Sequence, residues 1–434
     1  MERSERQAGR HGVVAATVLF LVTTWLYHQV TVPELYNVSD PLLIVPTSLS
    51  LLHDGDLDLS ELGDAVDPAF HGMLFVNGRP YNRYPIGTSL LILPVVWVAD
   101  RLLPPDPTPM ARALVIAAHT AKFLAALSVA LLFLVLVELT ADTGLALALA
   151  LVFAFATLQL PIHAGGLFTH NAVIPLLLAG LLILLRHEDT RAAIAALPFA
   201  AAFVTRPTSA PLIVVVSLWV ARHRPRVWPR YVALGGGLGV LFVAWSYRTY
   251  GTPLPPYYWS YDVTSPYVMS ARRFAAGLAG HLLSPNRGLL VFMPIFVFSL
   301  WGMAQTWHSR APQAALYRAL ALAVVVHWVM ISVLARKWWA GWSFGPRHLA
   351  EMVPVLVVLL VPAIDGARTA SRRARALLAP LALVALAWSL FVAVHGATSL
   401  APSAWNATPV NVDEHPERVW DWHDLQALRG TGLQ

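Results

Sequence analysis

Cysteine is absent from the sequence, lysine is nearly absent, and charged residues of every kind are scarce. Without a thiol, the chain can form neither a disulfide framework nor a thiolate metal site, and it has no cysteine nucleophile. Charged residues make up 12% of the 434 residues, against 57% hydrophobic residues and a mean hydropathy of +0.60. Because a soluble chain of this length carries more charge, the composition predicts an all-α polytopic membrane protein.

The basic surplus of the chain is almost entirely arginine. The net charge is +6, and Lys122 and Lys337 are the only lysines in the sequence. In a membrane protein, a basic surplus favours lipid head groups as partners. The sequence shows no basic segment interleaved with aromatic residues of the kind that binds nucleic acid. We therefore expect membrane lipids as partners, and not nucleic acid.

Apolar runs of about 20 residues, the length that crosses roughly 30 Å of hydrocarbon, set the predicted topology. The first run follows a basic N-terminal stretch, and no small-residue cleavage site follows it, so we interpret it as a retained span. Residues 192–221 are divided into two short spans because Pro207 interrupts the run after Arg206. The predicted spans lie near 13–31, 112–138, 144–163, 171–185, the two halves of 192–221, 231–247, 289–306, 319–335, 349–364 and 377–397.

The distribution of arginine orients these spans in the membrane. With the N-terminus in the cytoplasm, the following residues fall on the cytoplasmic side, as the positive-inside rule requires: Arg3, Arg6, Arg10, Arg186, Arg191, Arg222, Arg224, Arg226, Arg230, Arg310, Arg318, Arg368, Arg372, Arg373 and Arg375. This orientation holds only if 86–103, with Pro94 in its middle, lies along or dips into the outer leaflet without crossing.

The predicted protein is therefore a bundle of about eleven transmembrane helices over residues 1–398. A large first extracytoplasmic loop, 33–110, carries juxtamembrane helices, and a short extracytoplasmic tail covers 399–434. Several distant pieces of chain then meet at the outer face: 36–85, the corners at His170 and Arg206, 248–287, and the stretch KWWAGWSFGPRH from Lys337. Because irregular backbone at membrane depth must be buried in protein or line a polar cavity, we expect a cavity there.

Asp40 is the candidate catalytic residue at this face. It lies about ten residues beyond the first span, near the membrane surface, where a partly desolvated carboxylate can act as a general base. The alternative interpretation is structural, because Asp followed by Pro is a good N-cap and N1 pair for a helix that begins at Pro41. The acidic run HDGDLDLSELGDAVD from His53 is interpreted as a solvated loop, with a divalent cation left open and no metal ligand assigned.

Four arginines lie beside proline or glycine at breaks on the predicted outer face: Arg83, Arg206, Arg287 and Arg347. An arginine at mid-membrane costs roughly 2.5 to 3.5 kcal/mol, and less near the surface, so such residues usually have a partner. Any one of them alone would be interpreted as a side chain that extends to the lipid head groups. Convergence of four on one side instead indicates a phosphate, which arginine binds in bidentate fashion.

Three other polar residues are weaker candidates for substrate binding. His170 and His348 lie at helix ends, where a lone histidine is most often a packing residue with satisfied hydrogen bonds. Lys122, about ten residues inside the second span, reaches either a phosphate or the membrane surface. The tryptophans of the KWWAGW stretch are interpreted as an interfacial belt, with stacking on a sugar ring as the alternative.

The order of these pieces, from about Val13 to Thr398, resembles the GT-C superfamily of membrane glycosyltransferases. The similarity is to bacterial relatives of the protein O-mannosyltransferases and of the aminoarabinose transferase. It is carried by Asp40 and the run into SLSLLHDGDLDL, then RYPIG, LFTHNAVIPLLLAGLLILL, TRPT, RTYGTPLPPYY, LLSPNRGLLVFMP and WAGWSFGPRHL. No single motif among these is specific, and the resemblance lies in their order.

The resemblance implies a sugar transfer with inversion from a polyprenyl-phosphate donor to a glycan, lipid or protein acceptor. The reaction would take place on the extracytoplasmic side of the bacterial plasma membrane. The family's acidic residue in the first loop corresponds to Asp40, and its basic residue before an aromatic, which contacts lipid phosphate, corresponds to Arg83 followed by Tyr84. Many relatives carry two adjacent acids at the first position, whereas Ser39 and Pro41 flank a single aspartate here.

Two other classes of protein stay open at this level. A lipid-linked sugar flippase or transporter would also hold arginines near phosphate, but it is expected to carry polar residues deep in several spans. In this sequence, charged residues near the middle of the predicted spans are almost limited to Lys122. A non-catalytic scaffold for envelope assembly would need no general base.

Overall fold

The computed structural model describes residues 2–32, 40–104, 108–259, 270–310, 312–335 and 337–433. Parts of the two predicted outer loops, 33–39, 105–107 and 260–269, lie outside these ranges. The helices are α1 (Glu2–Val30), α2 (Ile44–His53), α3 (Gly87–Leu102), α4 (Pro109–Thr140), α5 (Thr143–Phe155), α6 (Thr169–Arg186), α7 (Ala196–Thr205), α8 (Ala210–His223), α9 (Trp228–Tyr250), α10 (Pro256–Trp259), α11 (Ala271–Leu283), α12 (Leu289–Phe292), α13 (Phe296–His308), α14 (Ala314–Leu334), α15 (Val353–Val358), α16 (Leu360–Thr369), α17 (Arg372–Thr398) and α18 (Ala401–Ala404).

Short helical turns lie in the connections between these helices and in the C-terminal tail. 3₁₀ turns cover Ser60–Ala65, Thr190–Ala195, Pro207–Ser209, Arg347–Met352, Pro416–Trp420 and Gln426–Leu428, and a π-helical turn covers Gln159–His163.

Six helical segments of the described chain are long and apolar enough to cross a membrane: Gly12–Val30, Pro109–Thr140, Thr169–Arg186, Ala314–Leu334, Arg347–Thr369 and Arg372–Thr398. The chain is therefore mostly helical and has several helices of membrane-spanning length. The number of about eleven spans stays a prediction, because several of the other predicted spans fold as shorter or broken helices.

The predicted break inside 192–221 is confirmed. Helix α7 ends at Thr205, Arg206 adopts an extended conformation, and α8 begins at Ala210 after a 3₁₀ turn. The proline at position 207 has no backbone N–H to donate to the preceding turn, so the helix ends there. The break turns the Arg206 side chain out of the helical register and toward neighbouring helices.

The predicted segment 86–103 contains helix α3 (Gly87–Leu102), which contacts α2, α4, α6 and α7. Its 16 residues rise only about 24 Å at ~1.5 Å each, less than the roughly 30 Å of a hydrocarbon core. Gly87, at its start, packs directly on the end of α7: a Cβ there would lie 2.5 Å from the Thr205 Cα atom. This close contact joins the RYPIG and TRPT segments.

The first loop contains a β-hairpin, a small exception to the all-α prediction in a chain that is mostly helical. Strand β1 (Met73–Val76) pairs antiparallel with β2 (Arg79–Asn82). Asn77 and Gly78 join them with φ angles of 52° and 80°, both in the left-handed region that a type I′ turn requires. The Asn-Gly pair directly after the apolar run MLFV is the sequence signal of such a turn.

The C-terminal tail is folded against the end of the bundle where the first loop lies. Trp405 is completely buried, and the Ser284 hydroxyl donates to the Val419 carbonyl at 2.5 Å. The Asn286 amide donates to the carbonyls of Arg418 and Asp421, both at 3.0 Å. The tail therefore forms part of the framework around the KWWAGWSFGPRH stretch.

Candidate functional site

A small cavity lies where the first loop, the corners at His170 and Arg206, the α10 segment and the start of the Arg347–Thr369 span meet. Its volume is about 130 Å³, and its walls are polar and aromatic. The lining residues are Asp40, Pro41, Ile44, Tyr84, Phe168, Thr169, His170, Arg206, Tyr257, Arg347 and His348. The structure thus brings together six of the residues that the sequence singles out, from segments up to about 300 positions apart.

Asp40 holds this cavity together through its carboxylate. Tyr84 donates its hydroxyl to Oδ1 at 2.8 Å, and His71 Nε2 lies 3.3 Å from the same oxygen. Arg347 donates from Nη2 to Oδ2 at 3.3 Å. Helix α2 begins at Ile44 after Leu43, without a side-chain cap, so the interpretation of Asp40 as a helix cap is wrong.

The partners of Asp40 determine its protonation. Burial by itself raises the pKa of Asp40, but the Arg347 charge and the hydrogen bonds from His71 and Tyr84 outweigh burial and hold it well below its usual range. Burial, together with the negative charge of Asp40, raises the pKa of the Tyr84 hydroxyl. At neutral pH, Asp40 is therefore an anion and Tyr84 a neutral donor.

Glu351 is the residue at this site that the sequence reasoning missed. It is fully buried, and its Oε1 lies 2.5 Å from Arg206 Nε and 3.3 Å from His170 Nδ1. The Thr208 hydroxyl donates to it at 2.9 Å. Glu351 lies at the third position of the predicted span 349–364 and not at mid-span. An acid near the start of an apolar run is itself the signal of a functional or paired residue.

Arg206 and Arg347 are the two guanidinium groups that line the cavity. Arg206 also donates from Nη1 to the Thr169 hydroxyl at 3.0 Å, while Arg347 donates to the Ala340 carbonyl at 3.1 Å and lies 4.9 Å from the centroid of the Phe168 ring. Both side chains are nearly buried, with 13% and 12% of their surfaces exposed. Each therefore carries its charge into a space that is largely shielded from solvent.

The two histidines of the sequence analysis both line this cavity. His170, on the first turn of α6, is in contact with Glu351, and its ring lies 5.8 Å from that of His163. His348 Nε2 lies 3.1 Å from the Lys337 carbonyl oxygen. Both rings therefore form part of the same cavity wall as the two arginines.

Arg287 lies outside the cavity in a different environment. Only 1% of it is exposed, and it donates to three backbone carbonyls and two side-chain amides at 2.6 to 3.2 Å. These acceptors belong to Asn286, Trp339, Gly341, Asn406 and Gln426. Arg287 thus joins the KWWAGW stretch to the C-terminal tail.

The KWWAGW stretch is attached to the tail through its own side chains as well. Lys337 and Trp339 both donate to the carboxylate of Asp413, at 2.8 and 3.0 Å, and Trp342 donates to Asn411 at 2.9 Å. Two of the three tryptophans therefore have a hydrogen-bond role within the protein in addition to any role at the membrane surface.

Two further candidates do not line the cavity. The Lys122 ammonium is buried within α4 and donates to the Ala118 carbonyl at 3.2 Å. Arg83 is half-buried, and its backbone N–H donates to the Gly72 carbonyl at 2.8 Å. The neighbour of Arg83, Tyr84, is the residue of that pair whose side chain reaches Asp40.

The acidic run of the first loop is held by local contacts. Asp58 is paired with Arg79 at 2.9 Å and accepts from the Ser60 N–H at 3.1 Å. Across the part of the chain that the structure describes, no group of three or more His, Asp or Glu side chains is arranged to hold a metal ion.

An apolar groove of about 480 Å³ lies beside the polar cavity. Its walls come from α2, α3, α6, α7 and α9, and include Ile86, Leu90, Thr205 and Phe242. Thr205 precedes Arg206, and Ile86 lies two positions after Tyr84, so the groove begins where the cavity ends. A polar chamber that adjoins an apolar groove suits a ligand with a charged head and a long apolar tail.

Comparison with protein families and with curated proteins finds no match to this chain.

Proposed function

We propose that this protein is a GT-C type glycosyltransferase that moves a sugar from a polyprenyl-phosphate donor to an acceptor hydroxyl, with inversion at the anomeric carbon. The observation that supports this most directly is the convergence of Arg206 and Arg347 with Asp40 on one cavity beside an apolar groove. Guanidinium groups bind phosphate, a carboxylate accepts a proton, and an apolar groove holds a hydrocarbon chain.

In the proposed reaction, the acceptor hydroxyl oxygen attacks the anomeric carbon while the bond from that carbon to the phosphate oxygen breaks. The electron pair of this bond leaves with the lipid phosphate, and the hydroxyl proton passes to Asp40. Arg206 and Arg347 stabilise the negative charge that gathers on the departing phosphate, and this electrostatic stabilisation is strong because both groups are shielded from water.

The contact between Arg347 and Asp40 couples donor binding to the strength of the base. While Arg347 lies 3.3 Å from the carboxylate, the low pKa of Asp40 makes it a weak base. A phosphate that draws Arg347 away removes much of this neutralising charge, and the pKa of Asp40 then rises because its burial persists. Asp40 thus becomes an effective base only when the donor is in place.

The apolar groove accommodates the first isoprene units of the donor in this proposal. Helix α3 forms one wall of it through Ile86, Leu90 and Leu91, and its length suits a helix that lies along one leaflet. The proposed topology has about eleven spans, with the site on the extracytoplasmic side of a bacterial plasma membrane. Membrane lipids surround the bundle, and a glycan, a lipid or a protein supplies the hydroxyl group.

A panel of polyprenyl-phosphate sugars incubated with the purified full-length chain tests this proposal by release of the lipid phosphate. We expect D40N to lower turnover about 10²- to 10⁴-fold, the usual contribution of a positioned general base, while donor binding persists. The matched control is D64N, an exposed acid of the same loop outside the cavity. Release that is equal in D40N and the wild-type protein contradicts the role of Asp40, and transport without release favours a flippase.

A further inference from the structure

A second large groove lies at the end of the bundle opposite Asp40, between α5, α13, α16 and α17. It encloses about 610 Å³, and its walls are almost wholly apolar, with Leu149, Phe298, Ile364 and Leu386 among them. The Arg347–Thr369 span begins at the Asp40 cavity and ends at this groove. At ~1.5 Å per residue, Arg347 at the cavity and Arg368 at the mouth of the groove are therefore roughly 30 Å apart along this span.

The mouth of this groove is lined by two arginines. Arg368 is in the last turn of α16 and Arg375 in the first turn of α17, and a short turn joins these helices. Asp365 lies 3.4 Å from Arg368 and Asp142 lies 4.0 Å away, but these side chains are about half exposed or more, so such pairs contribute little. Among the described residues, no carboxylate pairs with Arg375.

The depth of the groove matches one leaflet of a bilayer. Along α17, about 11 residues separate Arg375 at the mouth from Leu386 at the far end, a rise of roughly 16 Å. Half of a hydrocarbon core of about 30 Å is nearly the same length. The exposed flank of α17 next to the groove is apolar too, since Leu377, Leu381 and Val384 are each 60% exposed or more.

We propose that this groove is a specific site for an anionic two-chain phospholipid, with the phosphate between Arg368 and Arg375 and an acyl chain along α17. Basic pockets between helices at one membrane face suit anionic head groups. Arg372 and Arg373, both exposed at the same turn, add to the positive potential. A second copy of the chain fits less well, because a twofold interface would bring two such arginine clusters together.

Native mass spectrometry of the detergent-solubilised full chain tests the site through titration with phosphatidylglycerol and with phosphatidylcholine of identical acyl chains. We expect phosphatidylglycerol to bind at least about tenfold more tightly. The double variant R368Q/R375Q is expected to weaken phosphatidylglycerol binding by about thirtyfold and phosphatidylcholine binding by a much smaller factor, because the choline cation offsets the charge of the phosphate. The variant A382W, which places a bulky side chain in the groove, is expected to weaken binding of both lipids.

The matched control is R226Q/R230Q, which removes two exposed arginines from the same predicted membrane face but away from the groove. It should change phosphatidylglycerol binding by less than about twofold. An equal loss in this control would overturn the proposal, because binding would then follow total charge. Lipid binding that A382W leaves intact would also overturn the proposal, because the lipid would then bind outside the groove. A dimer that A382W dissociates would overturn it as well, because a second copy of the chain would then cover the groove.

Discussion

Arg206 and Arg287 belong to one class in the sequence, since each is an arginine beside a break on the predicted outer face, yet the structure holds them in opposite ways. Arg287 donates to neutral carbonyl and amide oxygens on every side. Arg206 lies against the carboxylate of Glu351 at the wall of a cavity. Because Arg206 reaches the cavity wall, its guanidinium can also contact a phosphate there, whereas every donor of Arg287 is already used by a buried neutral acceptor.

The comparison therefore separates an arginine that supports the fold from one that suits an anionic ligand. The two kinds of partner determine what each arginine loses on substitution. Removal of Arg206 leaves a buried negative charge, and removal of Arg287 leaves several buried acceptors without donors. Stability and turnover should therefore respond differently to the two changes, and the following variants test that difference.

The largest effect is expected for R206Q. Loss of the guanidinium removes stabilisation of the leaving phosphate and should lower turnover about 10²- to 10³-fold. It also leaves the buried Glu351 carboxylate without its guanidinium partner, at a cost of about 3 to 5 kcal/mol. The double variant R206Q/E351Q removes both charges and should recover the thermal stability but not the turnover. Recovery of turnover in the double variant would contradict a direct role for Arg206 at the phosphate.

The next largest effect is expected for R287Q, which should lower the stability of the protein. Several buried acceptors lose their donor, and each costs about 1 to 3 kcal/mol, so the total should reach about 3 kcal/mol or more. Turnover per folded molecule should stay within about twofold of the wild-type value. Thermal unfolding in detergent and turnover normalised to folded protein measure the two quantities. A stable R287Q protein with little turnover would place Arg287 in the site after all.

Sequence reasoning located the break at Thr205–Pro207 and the convergence at the cavity because both follow from local rules. Proline ends a helix wherever it stands, and arginines in short loops report which ends of the spans lie together. The different roles of Arg206 and Arg287 do not follow from such rules. They depend on partners as many as 145 and 139 positions away along the chain, and side-chain contacts at that separation leave no periodic pattern.

Two other features were missed although the sequence contains their signals. Asn77-Gly78 directly after the apolar run 73–76 predicts a hairpin turn, and Glu351 near the start of an apolar span predicts a buried partner. The folded tail has no comparable signal, because its attachment rests on hydrogen bonds such as that between Asn286 and the Arg418 carbonyl. The mostly helical class and six of the cavity residues were thus within reach of the sequence. The framework around them, and the positions of Arg83, Lys122 and Arg287 outside the cavity, were not.

A smaller effect is expected for G87A, which changes the contact between the RYPIG and TRPT segments. A Cβ at Gly87 would meet the backbone of Thr205 at 2.5 Å, and such overpacking typically costs about 1 to 3 kcal/mol. The control is G236A in α9, where a Cβ would meet nothing within 4 Å and helix propensity favours alanine. Thermal unfolding should show a loss for G87A and none for G236A. Equal stability of the two variants would mean that α3 and α7 separate readily.

The smallest effect is expected for Y84F, which removes one hydrogen bond from Asp40. Because that bond favours the charged carboxylate, its loss raises the pKa of Asp40 from its lowered position. The carboxylate then takes up a proton at a higher pH. As the pH is lowered, kcat/KM for Y84F should therefore begin to fall at a higher pH than kcat/KM for the wild-type protein. Turnover of Y84F at neutral pH should fall less than about tenfold. The control is Y258F, since the Tyr258 hydroxyl donates to the backbone carbonyls of Phe203 and Val204 and should leave the acid limb in place. An acid limb for Y84F that coincides with the wild-type one, or lies below it, would remove Asp40 from the rate-determining proton transfer.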